Sequence, residues 1–134
     1  MTPGSESQRI VVADDDLLLS SRVSASLERL GYRAVVVRSA AALETAIGNR
    51  PDAVIVNLAA RRFDAPAAIR RIKGDGTTRA IPLLGFCGHR DTERARAAVA
   101  AGCDAVTTNG VITADLSRAL KALLDSARPA SGTA

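Results

Sequence analysis

Short apolar runs alternate with longer segments of helical periodicity along most of this sequence. The short runs are rich in Val, Ile, Leu and Ala. Their apolar residues are continuous instead of alternating with polar ones, which is typical of strands buried on both faces. Five such runs occur, at 10–13, 34–37, 53–56, 83–86 and 105–108. We therefore predict five strands inside one domain.

The longer segments place apolar residues at the spacing of an α-helix. In the first, Leu19, Val23, Leu27 and Leu30 share one face, and Gly31 ends the helix. Four more helices are predicted. They are a helix capped by Ser39 and stopped at Gly48, a helix at 66–73, a helix at 91–101 closed by Gly102, and a helix capped by Thr113 with Leu116, Leu120, Leu123 and Leu124 facing inward.

Five strands that alternate with five helices indicate an α/β fold with a parallel sheet covered on both faces. The doubly wound, flavodoxin-like strand order 2-1-3-4-5 fits this alternation best. Residues 1–8 and 128–134 are rich in small and polar residues and are interpreted as flexible tails. The predicted folded domain therefore spans 9–127.

The amino-acid composition limits the classes of function that this chain could have. The chain has 134 residues, of which only 2% are aromatic, so the core must be aliphatic and stacking platforms for single-stranded nucleic acid are few. The net charge of +4 comes mostly from Arg and indicates either a solvated basic surface or an anionic partner.

No apolar stretch approaches the roughly 18 residues of a membrane span. The start of the chain has no apolar core like that of a signal peptide, so we expect a cytoplasmic protein.

Polar residues follow the predicted strands where their carboxyl ends should meet. Asp14, Asp15 and Asp16 follow the first strand, and Asn57 ends the third. Cys87 follows the fourth strand and Asn109 the fifth. Adjacent carboxylates are costly unless they are solvated or neutralised, and Mg²⁺ prefers such oxygen ligands. The alternative is that one Asp caps the first helix while the others face water.

Four segments resemble the response-regulator receiver domain of two-component and phosphorelay signal transduction. IVVADDD is similar to that family's first strand and acidic pocket, and PDAVIVNL to its third strand. AIPLLGFCG resembles the fourth strand, and AGCDAVTTNG resembles the fifth. The resemblance covers about 9–127. It implies phosphoryl transfer from a histidine kinase to an aspartate at the end of the third strand, with Mg²⁺ held by the acidic pair that matches Asp14 and Asp15.

The chain departs from the family pattern at every other position of that pocket. Asn57 stands where the phosphoacceptor aspartate is expected, and Cys87 where a hydroxyl residue is expected. Asn109 replaces a lysine, and Val106 replaces an aromatic residue. An amide lacks the anionic oxygen needed to attack phosphorus. The resemblance therefore implies a degenerate receiver domain, or pseudo-receiver, with no catalytic residues.

The same departures lead to predictions about Mg²⁺ binding and hydrogen bonding in the degenerate pocket. Without the third anionic group, only weak or vestigial Mg²⁺ binding at Asp14 and Asp15 is expected, and no other cofactor. The two amides, Asn57 and Asn109, could hydrogen-bond to each other or to Asp15 without a metal. Cys87 and Cys103 are expected to be free thiols, too far apart to pair.

Partner binding is predicted on the face formed by helix four, strand five and helix five, because the family commonly uses it. Arg90, Arg94 and Val106 are the candidate contact residues. The main hypothesis is a phosphorylation-independent protein–protein interaction module, with a homodimer left open. The alternative is a small-ligand or nucleic-acid module that uses the Arg-rich surfaces at 70–79 and 90–96. No assembled catalytic set points to an enzyme, and no membrane partner is expected.

Overall fold

The computed structural model describes residues 8–127, and the tails predicted at 1–8 and 128–134 lie almost entirely outside this range. The strands are β1 (Arg9–Ala13), β2 (Arg33–Val37), β3 (Ala53–Asn57), β4 (Leu83–Cys87) and β5 (Ala105–Thr108). The helices are α1 (Leu17–Arg29), α2 (Ala40–Gly48), α3 (Ala65–Gly74), α4 (Thr92–Ala101), α5 (Asn109–Ala114) and α6 (Leu116–Ala127).

All strand pairs are parallel, and the sheet order is β2-β1-β3-β4-β5. The predicted flavodoxin-like fold is confirmed. The side chains of each central strand divide between two cores. One core, which contains Val11, Val54 and Leu83, is covered by α2, α3 and α4. The other, which contains Ile10, Ile55 and Phe86, is covered by α1, α5 and α6.

Burial on both faces holds for the central strands but not for the two edges of the sheet. Every residue of β3 and of β4 is buried. In contrast, β5 is half-buried throughout, and only Val37 of β2 is fully buried. The sequence runs do not reveal this difference because an edge strand with aliphatic side chains has the same composition as a central one.

The segment after β5 differs from its prediction. Thr113 does not cap the last helix. It lies inside the additional short helix α5, where its hydroxyl donates to the carbonyl oxygens of Asn109 and Gly110. Thr108 caps α5 by accepting from the Val111 backbone N–H at 3.2 Å. Asn109 is therefore the first residue of a helix and not a loop residue.

Most of the other predicted helix boundaries agree with the structure. Ser39 caps α2 by accepting from the Ala42 N–H at 3.1 Å, and Gly102 ends α4 at φ 109°. In α1, Val23 and Leu27 are buried as predicted, whereas Leu30 lies beyond the helix and is 45% exposed. The chain turns at Gly31, with φ 93°, and carries Leu30 away from the core.

Gly102 offers a test of this packing, because its left-handed backbone disfavours any Cβ. A Cβ at Gly102 would also lie 3.1 Å from the Lys73 side chain. That side chain is held by Asp104 at 2.6 Å and by the Ile81 carbonyl oxygen at 2.7 Å. We expect Gly102→Ala to lower the free energy of unfolding by about 1–2 kcal/mol in chemical denaturation.

The matched control is Gly74→Ala at the end of α3, where a Cβ meets open space and φ is not positive. This change should leave stability unchanged or raise it slightly, because Ala is the better helix former. Equal stability of the two variants would contradict the packing assigned to Gly102.

Candidate functional site

The carboxyl edge of the sheet brings Asp14, Asn57 and Cys87 to the ends of neighbouring strands. The register pairs Ala13 with Val56 across β1 and β3, so the residues that follow, Asp14 and Asn57, are adjacent. Cys87, at the end of β4, pairs with Thr108 of β5. The predicted gathering of polar residues at this edge is therefore present, but these residues do not all face the same space.

Asp14 is a fully buried carboxylate with two hydrogen-bond donors on one oxygen. Its Oδ1 accepts from the Asn57 Nδ2 at 2.8 Å and from the Asp16 backbone N–H at 2.9 Å. Its Oδ2 is buried and has no hydrogen-bond partner within the described part of the chain. An unsatisfied buried carboxylate oxygen is rare and costly. Within 8–127, the Asn57 amide therefore provides one of the two hydrogen bonds that stabilise this charge.

Burial dominates the ionisation of Asp14. Loss of hydration raises the pKa of its carboxyl above the ordinary value of 3.8, and the neighbouring Asp16 and Asp15 charges act in the same direction. The hydrogen bonds from Asn57 and Asp16 oppose this effect without cancelling it. The folded state therefore binds a proton at Asp14 more readily than the unfolded state does.

Asn57 is only 8% exposed and uses both halves of its amide. Its Nδ2 donates to Asp14, and its Oδ1 accepts from the Ala59 N–H at 2.9 Å. We expected this amide to bond to Asn109 or to Asp15, but its donor faces Asp14. The reason is strand order, because β1 lies directly beside β3 whereas Asn109 follows β5. An ionised carboxylate at position 57 could accept from Ala59 but could not donate to Asp14.

Asp15 and Asp16 have separate structural roles. The Oδ2 of Asp15 accepts from the backbone N–H groups of Arg61 and Arg62 at 2.7 and 2.9 Å, which ties the loop after β3 to the loop after β1. Partial burial raises the pKa of Asp15, but the hydrogen bonds from Arg62 and Arg61 outweigh it, so the pKa is lowered. Asp16 caps α1 by accepting from the Leu19 N–H at 2.9 Å, which is the capping role foreseen for one of the three residues.

Cys87 and Asn109 are not joined to the Asp14–Asn57 pair. The Cys87 thiol is buried in the core beneath α4 and lies 3.7 Å from the Asp91 carbonyl oxygen. Burial and then the Asp91 charge raise its pKa, so the thiol stays protonated at neutral pH. Asn109 is exposed at the start of α5. Cys87 and Cys103 are both free, as predicted.

An open cavity of about 460 Å³ lies over this edge. Asp15, Asp16, Asn57 and Asn109 contribute to its lining, together with Leu19, Ala59, Arg61 and Arg62. Arg61 and Arg62 were not predicted as site residues. Their position in the loop after β3, which ends at this edge, could have indicated that they lie near the site. They put positive charge beside the cavity without restoring a cation at position 109.

Arg38 is a second residue that the sequence interpretation missed. Its guanidinium donates to the Asp14 carbonyl oxygen at 3.2 Å and to the Ser20 hydroxyl at 3.1 Å. Arg38 directly follows β2, which pairs with β1, so strand order places it beside the acidic loop. It fixes the backbone of Asp14 and joins the loop to α1.

The residues at this edge fit a divalent cation poorly. Mg²⁺ favours several charged oxygen ligands in a regular arrangement. Here Asp15 already accepts two backbone N–H groups with one oxygen, and Asn57 directs an N–H donor, not an oxygen, at Asp14. Within 8–127, no group of three or more acidic, His or Cys side chains is arranged to hold a metal ion. Weak binding at Asp14 and Asp15 stays a prediction.

The residues predicted to bind a partner lie in the turn before α4, on α4 and in β5. Arg90 is exposed in the turn before α4, and Arg94 is exposed on α4 and paired with Asp91 at 2.9 Å. Val106 is half-buried in β5 and packs against the core beneath α4. Val99, which was not predicted to contribute, is 62% exposed on the same helix. Among the described residues, no helix is both long and apolar enough to cross a membrane.

Comparison with known proteins identifies similar chains. The transcriptional regulatory protein PrrA of Mycobacterium tuberculosis is 31% identical over 130 residues, which cover 92% of this chain and 53% of PrrA. The chain therefore spans about half the length of the curated relatives that it matches. No family model matches the sequence.

Solved structures show the same fold. A two-component response regulator of the LuxR family from Aurantimonas superposes with a TM-score of 0.77 at 25% identity, over 90% of this chain and 87% of the other. The receiver domain of a sensor histidine kinase from Pseudomonas aeruginosa has a TM-score of 0.79 at 22% identity, over 90% and 99% of the two chains. That structure holds a magnesium ion in its active-site cleft.

The raised pKa of Asp14 predicts a specific pH dependence of stability. The folded-state pKa lies above the unfolded value, so the ionised carboxyl destabilises the fold at neutral pH and protonation relieves this cost as the pH falls. We expect the stability of the wild type relative to Asp14→Asn to increase between about pH 7 and about pH 4. Chemical denaturation of both proteins across this range measures the difference. A difference that is independent of pH would contradict the assignment.

Replacing Asn57 by Asp tests the hydrogen bond to Asp14. The change removes a donor and places a second carboxylate in the same buried site, so we expect the free energy of unfolding at neutral pH to fall by about 3 kcal/mol. This loss should shrink at lower pH, where the pair shares a proton. Asn109→Asp is the control, and because Asn109 is exposed it should change stability by less than about 0.5 kcal/mol. Wild-type stability of Asn57→Asp at neutral pH would refute this role.

Proposed function

We propose that this chain is a response-regulator receiver domain of two-component signal transduction and that it acts as a pseudo-receiver. It works as a phosphorylation-independent protein–protein interaction module. One observation carries the proposal: the Asn57 amide donates to the buried carboxylate of Asp14 at the position where a phosphoacceptor would stand. A receiver that uses this pocket for phosphoryl transfer requires an anionic oxygen there.

The energetics of the pocket support the proposal. Phosphoryl transfer is catalysed mainly by positioning and by cations that neutralise the developing charge. In this chain Asn109 supplies no charge, the Cys87 thiol lies in the core, and the Asp14 carboxylate is bound by an amide. The hydrogen bonds around Asn57 instead join β1, β3 and the loop after β3. They favour one fixed arrangement of the edge, which suits a domain whose binding surface is permanently formed.

The proposed binding surface consists of Arg90, Arg94 and Val99, beside Val106. Arg is enriched at the energetic centres of protein interfaces, and Val99, exposed on the same helix, adds apolar area. The Asp91–Arg94 pair holds the guanidinium on the outer face of α4. A partner with an acidic residue and a small apolar patch would complement this surface. The homodimer stays an alternative occupant of the same face.

The nucleic-acid alternative has less support from the basic residues. Lys73 is bound to Asp104 and to two backbone carbonyl oxygens, and Arg71 is paired with Glu44 at 2.7 Å. The Lys73 side chain is only 15% exposed, so it is poorly placed to contact a phosphate backbone.

Treatment with acetyl phosphate and Mg²⁺ tests the central claim. We expect no stable acyl phosphate on the wild-type protein, measured as the absence of the phosphate mass shift in intact-protein mass spectrometry. A response regulator with a complete pocket, treated in parallel, is the positive control. Stoichiometric acyl phosphate on the wild type would overturn the proposal.

Charge reversal on α4 tests the binding surface. We expect Arg94→Glu to weaken capture of the partner in quantitative pull-down by at least about tenfold, with or without acetyl phosphate. Arg22→Glu on α1 is the control, because Arg22 is also exposed but lies on a different helix. Capture that is unchanged by Arg94→Glu, or reduced equally by both variants, would argue against the α4 surface.

A further inference from the structure

An apolar groove between α2 and α3 is a feature of the described surface that the proposed function does not use. It encloses about 430 Å³, which lies within the range of small-molecule sites. Leu43, Ile47 and Ile72 form its buried floor. The groove exists because the residues that face it from the helix walls are small, namely Ala40, Ala67 and Ala68. Larger side chains at these positions would close it.

Charge is distributed unevenly around this groove. Its lining contains three carboxylates, Glu44, Asp64 and Asp75, and a single cation, Arg71. Arg71 is already paired with Glu44 at 2.7 Å, in a contact that joins the two helices. Asp64 and Asp75 form no ion pair among the described residues. The groove is therefore acidic on a chain whose net charge is +4.

The two ends of the groove differ in their attraction for a cation. Asp64 lies at the start of α3, where the helix dipole is positive and where its Oδ1 already caps the helix. Asp75 lies just beyond the carboxyl end of α3, where the dipole favours positive charge. Thr77 donates to Asp75 through its N–H and its hydroxyl, both at 2.8 Å, and these bonds lower the pKa of Asp75. The Asp75 carboxylate is therefore ionised at neutral pH.

We propose that the α2–α3 groove binds a small amphipathic organic cation, with its apolar body on Leu43, Ile47 and Ile72 and its cationic group at Asp75. The Glu44–Arg71 pair spans the groove and would have to open for a helix to enter, whereas a slender molecule fits beneath it. The proposal is independent of the phosphorylation state of the domain.

Octylammonium is a suitable probe, with octanoate as its anionic counterpart of similar length. We expect octylammonium, below its micelle concentration, to cause saturable changes in the ¹H–¹⁵N spectrum of the full chain at the amides of Leu43, Ala67 and Ala68. Octanoate should bind at least about tenfold more weakly, which corresponds to about 1.4 kcal/mol. The absence of saturation, or equal binding of both probes, would overturn the proposal.

Two pairs of variants locate the site. Ala68→Leu should fill the groove and weaken binding at least fivefold, whereas Ala122→Leu on the exposed face of α6 should not. Asp75→Asn, which keeps the acceptor for Thr77, should weaken octylammonium several-fold, whereas Asp64→Asn at the other end should change it less. If Ala68→Leu binds like the wild type, or if only Asp64→Asn weakens binding, the assigned position is wrong.

Arg50 provides an independent readout of the same charge. Its guanidinium lies near Asp75, whose pKa it lowers, and it donates to the Thr77 carbonyl oxygen at 3.5 Å. Arg50 therefore competes with a ligand cation. Arg50→Ala should tighten octylammonium binding and leave octanoate unimproved. Weaker binding of octylammonium to this variant would contradict placement of the cation at Asp75.

Discussion

The hydrogen bond from Asn57 to Asp14 links the fold of this chain to its chemistry. A parallel sheet directs the ends of its central strands to one edge, and burial there deprives Asp14 of water. Such a carboxylate requires either a cation or hydrogen-bond donors. The amide of Asn57 supplies a donor, and the Asp16 N–H supplies another. Asn57 is therefore one of the residues that stabilise the acidic loop.

Further hydrogen bonds fix the loops on either side of the Asn57–Asp14 pair. Asn57 accepts from Ala59, and Asp15 accepts from Arg61 and Arg62, so the loop after β3 is fixed at several points to the loop after β1. Arg38 then ties the Asp14 backbone to Ser20 of α1. The donors in these contacts are backbone N–H groups and the Arg38 guanidinium. The loops at this edge are thus joined to one another by hydrogen bonds within the chain.

The α4 surface and the α2–α3 groove are harder to predict from the sequence than the carboxyl edge of the sheet is. The α4 surface combines exposed Arg94 and Val99, whereas the α2–α3 groove combines an aliphatic floor with an acidic rim. Both depend on which helix faces meet in space. Ala67 and Ala68 read as ordinary helix formers in the sequence, and only their position opposite Ala40 makes them walls of a groove. In the same way, only the orientation of α4 in the fold leaves Val99 exposed to solvent.

The sequence by itself determined the five strands, the doubly wound order and the position of Asn57 at the carboxyl edge. These features follow from local hydrophobic patterns and from the restrictions on parallel sheets, which act over short distances along the chain. Tertiary structure alone decided that Asn57 bonds to Asp14 and not to Asn109, that Cys87 faces the core, and that α5 precedes the last helix. Those outcomes depend on side-chain direction and on residues far apart in sequence, such as Asp14 and Asn57. No local pattern encodes which of several suitable donors lies within hydrogen-bonding distance of a buried oxygen.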